Sequence, residues 1–192
     1  MTRHDQIFAR DDYKDYVGKS DWKLPTNAKV IDDVAMEFGQ LYRSSAVIGS
    51  EDSDLPEAQS PELWTGQPGT RAPHFWVKPR DSRHGSDRER VSILDTFYNG
   101  WVVLTEDERW QAAEKVAQDG YGVKCGTVVI GRDVLEEEET TFGKLYGVNK
   151  TGAVLLRPDG YIAWRCIETN GGNLVYLLAD ALAKVSHAVK SL

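Results

Sequence analysis

A chain of 192 residues with an apolar share of 41% has the length of one domain and enough apolar material to fill its own core without a metal or disulfide staple. Its 23 Lys and Arg against 30 Asp and Glu leave a net charge of −7, which excludes a general nucleic-acid binder, since that needs a basic face to displace condensed counterions. No apolar run approaches the ~18 residues that cross a bilayer, and residues 1–10 lack a signal-peptide core. A cytoplasmic protein with no nucleic-acid or membrane partner is therefore expected.

Residues 1–25 are charged and without clear periodicity, reading as an N-terminal arm that nevertheless holds Phe8, Tyr13, Tyr16 and Trp22. Residues 26–192 read as the domain proper. Pro25 precedes Thr26-Asn27, an acceptable helix start. Val30, Ile31, Val34, Ala35, Phe38 and Leu41 then recur at helical spacing, with Asp32, Asp33, Glu37 and Gln40 on the other face. Residues 42–48 read as a short strand. Residues 49–73 form a long loop rich in Ser, Pro, Gly and acids, and loops of that length are usually functional or flexible. Residues 74–77 look like a strand and 79–90 like a second, locally basic loop. Strands over 91–95 and 101–105 are joined by the turn at Asn99-Gly100.

The pattern then alternates. Residues 106–118 predict a helix with Thr105 as N-cap and Gly120 as its stop. A β-branched strand follows over 125–130. The acidic run 136–139 leads into a short helix over 140–146, closed by Gly147. Residues 153–156 and 161–166 predict a hairpin across Arg157-Pro158-Asp159-Gly160. A final helix over 174–189 carries an apolar stripe of Leu174, Leu177, Leu178, Ala181, Leu182 and Val185. From residue 91 the order is β, β, α, β, α, β, β, α. Helices on both sides of a central mixed sheet make an α/β, thioredoxin-like fold.

Cys125 and Cys166 sit in apolar, strand-like surroundings, and neither belongs to a C-x-x-C pair or a ligand-spaced cluster. Redox dithiol chemistry and structural zinc are unsupported. Each reads as a small buried hydrophobe.

Several segments carry a resemblance. They are Gly69-Thr70-Arg71-Ala72-Pro73-His74, Ser92-Ile93-Leu94-Asp95 with Trp101-Val102-Val103-Leu104, Tyr146-Gly147-Val148, and the run from Gly152-Ala153-Val154 through Arg157-Pro158-Asp159-Gly160-Tyr161-Ile162-Ala163-Trp164-Arg165. Over roughly residues 36–190, the chain resembles the C-terminal thioredoxin-like domain of FAD-dependent aromatic hydroxylases of the phenol hydroxylase type. Tyr42-Arg43-Ser44-Ser45-Ala46-Val47 resembles the segment leading into that domain. In that family the flavin chemistry sits in a preceding domain with a Gly-x-Gly-x-x-Gly loop, and this sequence has no such loop. No FAD, NAD(P)H or other cofactor and no metal is expected. The resemblance implies the fold and removes the redox function.

Proton chemistry has several candidate residues. His74 enters an aromatic strand and is the side chain best poised for proton transfer near neutrality. It could equally hold its turn by a hydrogen bond. Asp33 and Glu37, at i and i+4 of the first helix, could form a carboxyl pair with separated pKa values, or a solvated face. Tyr42 could add a phenol donor or simply pack. Asp95 ends an apolar strand and either caps the following turn through Thr96 or Asn99 or faces a pocket. Arg71 and Arg165 could clamp a carboxylate or stabilise an oxyanion. Trp76, Tyr98 and Trp101 could line a site for a flat apolar ligand. The 136–139 acidic run reads as solvated surface.

Two functions follow. The first is a cofactor-free enzyme of natural-product biosynthesis, catalysing acid-promoted epoxide opening, rearrangement or cyclisation of an aromatic or polycyclic metabolite made by a partner monooxygenase. It is an isomerase or cyclase, not a redox enzyme. The second is a non-catalytic accessory or dimerisation module. The expected partner is a small hydrophobic aromatic metabolite, and a homodimer is left open.

Overall fold

The computed structural model describes residues 32–80, 90–96, 100–137 and 142–188. The expected arm over 1–25, the helix start at Val30 and Ile31, Tyr98 and the Asn99 turn lie outside these residues. Helix α1 (Asp33–Phe38) begins where the Asp32 carboxylate accepts from the Val34 and Ala35 amides at 2.8 and 3.3 Å. It stops at Gly39, short of the predicted end, because Gln40 pairs with Ala58 and the Leu41 amide donates to Glu57 O. Residues 42–48 form a turn instead of the expected strand. The Ser44 hydroxyl accepts from the Ala46 amide at 3.0 Å, and such local bonds compete with ladder pairing.

Strand β1 (Trp76–Pro79) follows the long loop, and β2 (Val91–Ser92) pairs antiparallel with it. The strand expected to reach residue 95 ends at Ser92, where Ile93–Thr96 wind into a 3-10 turn. Strand β3 (Trp101–Thr105) leads to α2 (Arg109–Tyr121). Thr105 belongs to the strand and does not cap the helix. Its hydroxyl accepts from the Asp107 amide and donates to Gly152 O. Helix α2 runs through Gly120 and stops at Gly122, whose φ of +65° only glycine adopts freely. Strands β4 (Cys125–Val129) and β5 (Val134–Glu136) follow, the latter not anticipated from the sequence. Then come α3 (Phe142–Tyr146), the hairpin β6 (Ala153–Leu156) and β7 (Ile162–Cys166), and α4 (Leu174–Ser186). Helix α4 opens on Asn173, whose side chain accepts from the Tyr176 amide at 3.2 Å.

The strands form two sheets. The larger has the order β4-β3-β6-β7, with β3 parallel to β4 and antiparallel to β6, which is the thioredoxin-like core expected from the element order. The smaller, β2-β1-β5, is antiparallel. Side chains alternate across the larger sheet, so it separates two apolar cores. Val103, Ala153, Leu155 and Ala163 join Trp110 and Ala113 of α2 and Leu178, Ala181, Leu182 and Val185 of α4. Val102, Leu104, Val154, Leu156 and Ile162 join Phe75, Val77 and Ile93 with Phe142 and Tyr146 of α3. A sheet buried on both faces explains why β3 and β6 read as continuous apolar runs.

Candidate functional site

The sequence candidates gather on the surface beside the second of these cores, in two groups. In the first, β1 and the 3-10 turn bring His74, Trp76, Ser92 and Asp95 together. Ser92 Oγ accepts from the Leu94 amide at 3.1 Å, while Asp95 Oδ2 accepts from the Ser92 amide at 3.3 Å. This reciprocal pair is a capping box, closed on a 3-10 turn. Asp95 thus caps backwards onto Ser92; Asn99 lies outside the described residues. His74 Nδ1 lies 2.8 Å from Ser92 Oγ, and its ring stands edge-on to Trp76 at 4.8 Å. The Arg90 guanidinium covers the Trp76 ring at 4.6 Å. An exposed imidazole, an indole and a cation therefore share one patch.

In the second group, α1, the long loop and the start of β7 converge. Arg71 lies 5.9 Å from the Phe38 ring and 5.5 Å from the Tyr161 ring, and Tyr42 meets Tyr161 edge-on at 4.9 Å. Asp33 and Glu37 sit on the exposed face of the same α1.

Trp101 joins neither group. It packs with the α2–α4 core, on the opposite face of the sheet from Phe75, because β3 alternation sends it there with Val103. Arg165 is half-buried and donates to Thr65 O at 2.6 Å and Tyr146 O at 3.1 Å. Desolvation holds its pKa below the usual arginine value. The Arg165 guanidinium clasps the long loop to the end of α3, and among the described residues no carboxylate joins the clasp. A methyl on Gly147 would lie 2.7 Å from Arg165 Nη1, and its φ of +61° also favours glycine.

Two side chains at this end of the molecule escaped sequence reasoning. Tyr146 is fully buried, and its hydroxyl donates to Pro73 O at 2.7 Å, fixing the backbone just before His74. Burial pushes its pKa well up. Glu136 was read with its neighbours as solvated surface. Instead it is half-buried at the end of β5 and accepts from the Phe142 amide that opens α3. Burial raises its pKa, and the Glu106 charge nearby adds to the rise. Glu137, from the same run, pairs with Lys78. Only strand β5, invisible in the composition of an acidic run, could have revealed this.

A dinucleotide cofactor would place its pyrophosphate at the helix start of a parallel β-α-β unit. In the β3–α2–β4 unit that position carries Glu106, Asp107 and Glu108 instead of glycines. The Arg109 guanidinium hydrogen-bonded to Asp107 holds its carboxyl below the usual range, so the charge persists. These residues do not fit the phosphates of FAD or NAD(P)H. Among the described residues, no group of three or more His, Cys, Asp or Glu is arranged to hold a metal. No described helix is long and apolar enough to cross a membrane.

The family model for the C-terminal region of aromatic-ring hydroxylases matches residues 65–187. The chain is 39% identical to aklavinone 12-hydroxylase RdmE of Streptomyces purpurascens over 133 residues, 68% of this chain and 23% of that protein. It is 38% identical to tetracenomycin A2 monooxygenase-dioxygenase of Streptomyces glaucescens over 156 residues, 77% of this chain and 26% of that protein. Among solved structures, aklavinone-11 hydroxylase in ternary complex with FAD and aklavinone matches with a TM-score of 0.71 at 33% identity, over 82% of this chain and 28% of that one. The flavin-dependent monooxygenase PieE, in complex with FAD and substrate, matches at 0.62 and 31% identity, over 79% and 26%. The chain thus spans about a quarter of the length of these relatives. With the sheet order, the Arg-Pro-Asp-Gly hairpin and the match over 65–187 in agreement, this chain belongs to the aromatic-ring hydroxylase C-terminal domain family.

Proposed function

We propose that the chain serves a secondary-metabolite pathway as the non-flavin module of an aromatic-hydroxylation system. Here it presents binding surface to an aromatic metabolite, while redox chemistry belongs to a flavin-bearing partner region. One observation carries this reading: the likeness is to the terminal quarter of polyketide hydroxylases, and the one described parallel β-α-β unit has carboxylates where a phosphate cradle would be. An arm over 1–25 and a domain over 26–192, with self-association through either, are part of the same reading.

A second reading gives the fold proton chemistry: acid-catalysed opening, rearrangement or cyclisation of an epoxide made by a partner monooxygenase. Glu136 favours it, as a half-buried carboxyl at the end of β5 whose pKa burial moves in the direction a proton donor needs. His74, Asp33, Glu37, Tyr42 and Asp95 are the other candidate donors, with Arg71, Trp76 and Tyr98 as candidate substrate contacts. The acid protonates the epoxide oxygen and one C–O bond breaks. The resulting cation then loses a proton from a neighbouring carbon or is closed by an internal hydroxyl, which returns the proton to the carboxylate. The product is an isomer.

One experiment separates the two. The purified protein is titrated with an anthracyclinone such as aklavinone, followed by fluorescence, and is separately incubated with epoxidised aromatic polyketides, followed by mass spectrometry and NMR. The first reading expects saturable binding with the epoxides recovered at the buffer rate. An isomer of unchanged mass formed faster than in buffer, and lost in Glu136→Gln, transfers the conclusion to the second. Absence of both binding and turnover overturns both.

A further inference from the structure

We propose that Arg71, held between Phe38 and Tyr161, receives the anionic edge of a flat aromatic ligand, either a ring carboxylate or a phenolate. The proposal rests on the aromatic-metabolite reading and names the feature of the ligand that this surface selects.

Arg71 is exposed, and its guanidinium makes ring contacts alone. Among the described residues its side chain has no hydrogen bond and no ion pair. Arg43, Arg109, Arg132, Arg157 and Arg165 are by contrast each committed to oxygen acceptors. Contact with aromatic rings uses the charge of a guanidinium without using its N–H donors. Arg71 therefore keeps a planar fork of donors available, the geometry that grips a carboxylate bidentately.

The backbone that carries the fork is fixed before any ligand arrives. Arg71 and Tyr161 face each other across an antiparallel bridge. On either side of it the Ala72 amide donates to Gly160 O and the Ile162 amide to Thr70 O, both at 2.9 Å. The Gly69 amide donates to Ile162 O at 2.8 Å, and the Tyr42 amide to Gly69 O at 2.7 Å. Three segments distant in sequence are thus tied by backbone before their side chains meet. Little backbone entropy is left to lose on binding.

The rim suits an aromatic body. Phe38 is 55% exposed and Tyr42 48%, large values for such side chains, and both border the cation through direct ring contacts or through Tyr161. Locally, a guanidinium without an ion pair favours an anion over a neutral or cationic group of the same shape, against the chain's net charge of −7. The His74 patch also holds a guanidinium on a ring, Arg90 over Trp76 at 4.6 Å, but there one ring borders the cation, against two at Arg71.

The test titrates the intact protein at pH 7 and low salt with anthracene-2-carboxylate and, as its neutral counterpart, 2-(hydroxymethyl)anthracene. Intrinsic probe fluorescence reports binding. Wild type is expected to prefer the carboxylate by about tenfold or more, the worth of a charge-assisted fork. Arg71→Gln erases the preference, bringing the carboxylate's Kd to that of the alcohol. Arg71→Lys restores part of it, since an ammonium carries the charge without the fork. Tyr161→Leu, which keeps the cation and removes one ring, weakens both probes. Equal binding of the two probes by wild type, or a preference that survives in Arg71→Gln, overturns the cradle and leaves the aromatic-metabolite reading standing. If neither probe binds wild type, the cradle falls and that reading falls with it.

Discussion

Cys125 and Cys166 show how one residue type takes two roles in the same sheet. Cys125 opens β4 against the α2–α4 core, where burial pushes its thiol up to about 12 and the Glu114 charge adds to the rise. Cys166 ends β7, the opposite edge of the sheet, half-buried, with its Sγ donating to Glu168 O at 3.3 Å. The thiolate is the reactive form, so Cys125 should be inert in the native protein at pH 8. A disulfide-exchange reagent is expected to modify at most one thiol per chain there, slowly, and both in denaturant. Cys166→Ser should abolish the native reaction, and a native reaction that persists in this variant would contradict the assignment. Sequence alone made both cysteines small buried hydrophobes. That holds for Cys125 and fails for Cys166: β4 and β7 are both edge strands, but Cys125 is buried within the α2–α4 core and Cys166 only partly against it, a difference of tertiary packing that local sequence does not carry. The same limit hid Glu136, whose burial depends on a strand pairing across about 60 residues of chain.

At the scale of elements, the 3-10 turn after β2 is where function and stability compete for the same side chains. Ser92 and Asp95 satisfy each other's turn, and His74 reaches Ser92 from the start of β1. The structural role predicts that Ser92→Ala costs about 1 kcal/mol, the usual worth of an N-cap. Asp95→Asn should cost less, since the amide oxygen still accepts from the Ser92 amide. Denaturant unfolding monitored by tryptophan fluorescence measures both. If Ser92→Ala leaves the midpoint unchanged, the capping role is wrong and the Ser92–His74 contact needs a different purpose. Much of this was readable: the Ser-x-x-Asp spacing is a capping signature. The direction of the cap was not, because Asp95 looked like a strand end until the chain turned at Ile93.

For the whole molecule, the decisive feature is one sheet with an apolar core on each face. Leu155 is fully buried on the helix-pair face of β6. Leu155→Ala should therefore destabilise by about 2–5 kcal/mol, through lost transfer energy and the cavity left behind. Thermal unfolding followed by circular dichroism reads this as a lowered Tm with native helix content retained. A shift near zero would mean that this face is not a packed core. Periodicity, turn residues and ordered motifs were enough to specify the thioredoxin-like order and the family, since these are local signals written in consecutive residues. They also nominated Arg71, Tyr42 and His74. What they could not decide is which candidates meet. Trp101 points into the opposite core by strand parity, Arg165 is spent on two backbone carbonyls, and Arg71 finds Phe38 and Tyr161 across 33 and 90 residues of chain. Local propensity acts over a few residues, whereas a site is made of distances between residues far apart in the chain. The tertiary structure alone sets those.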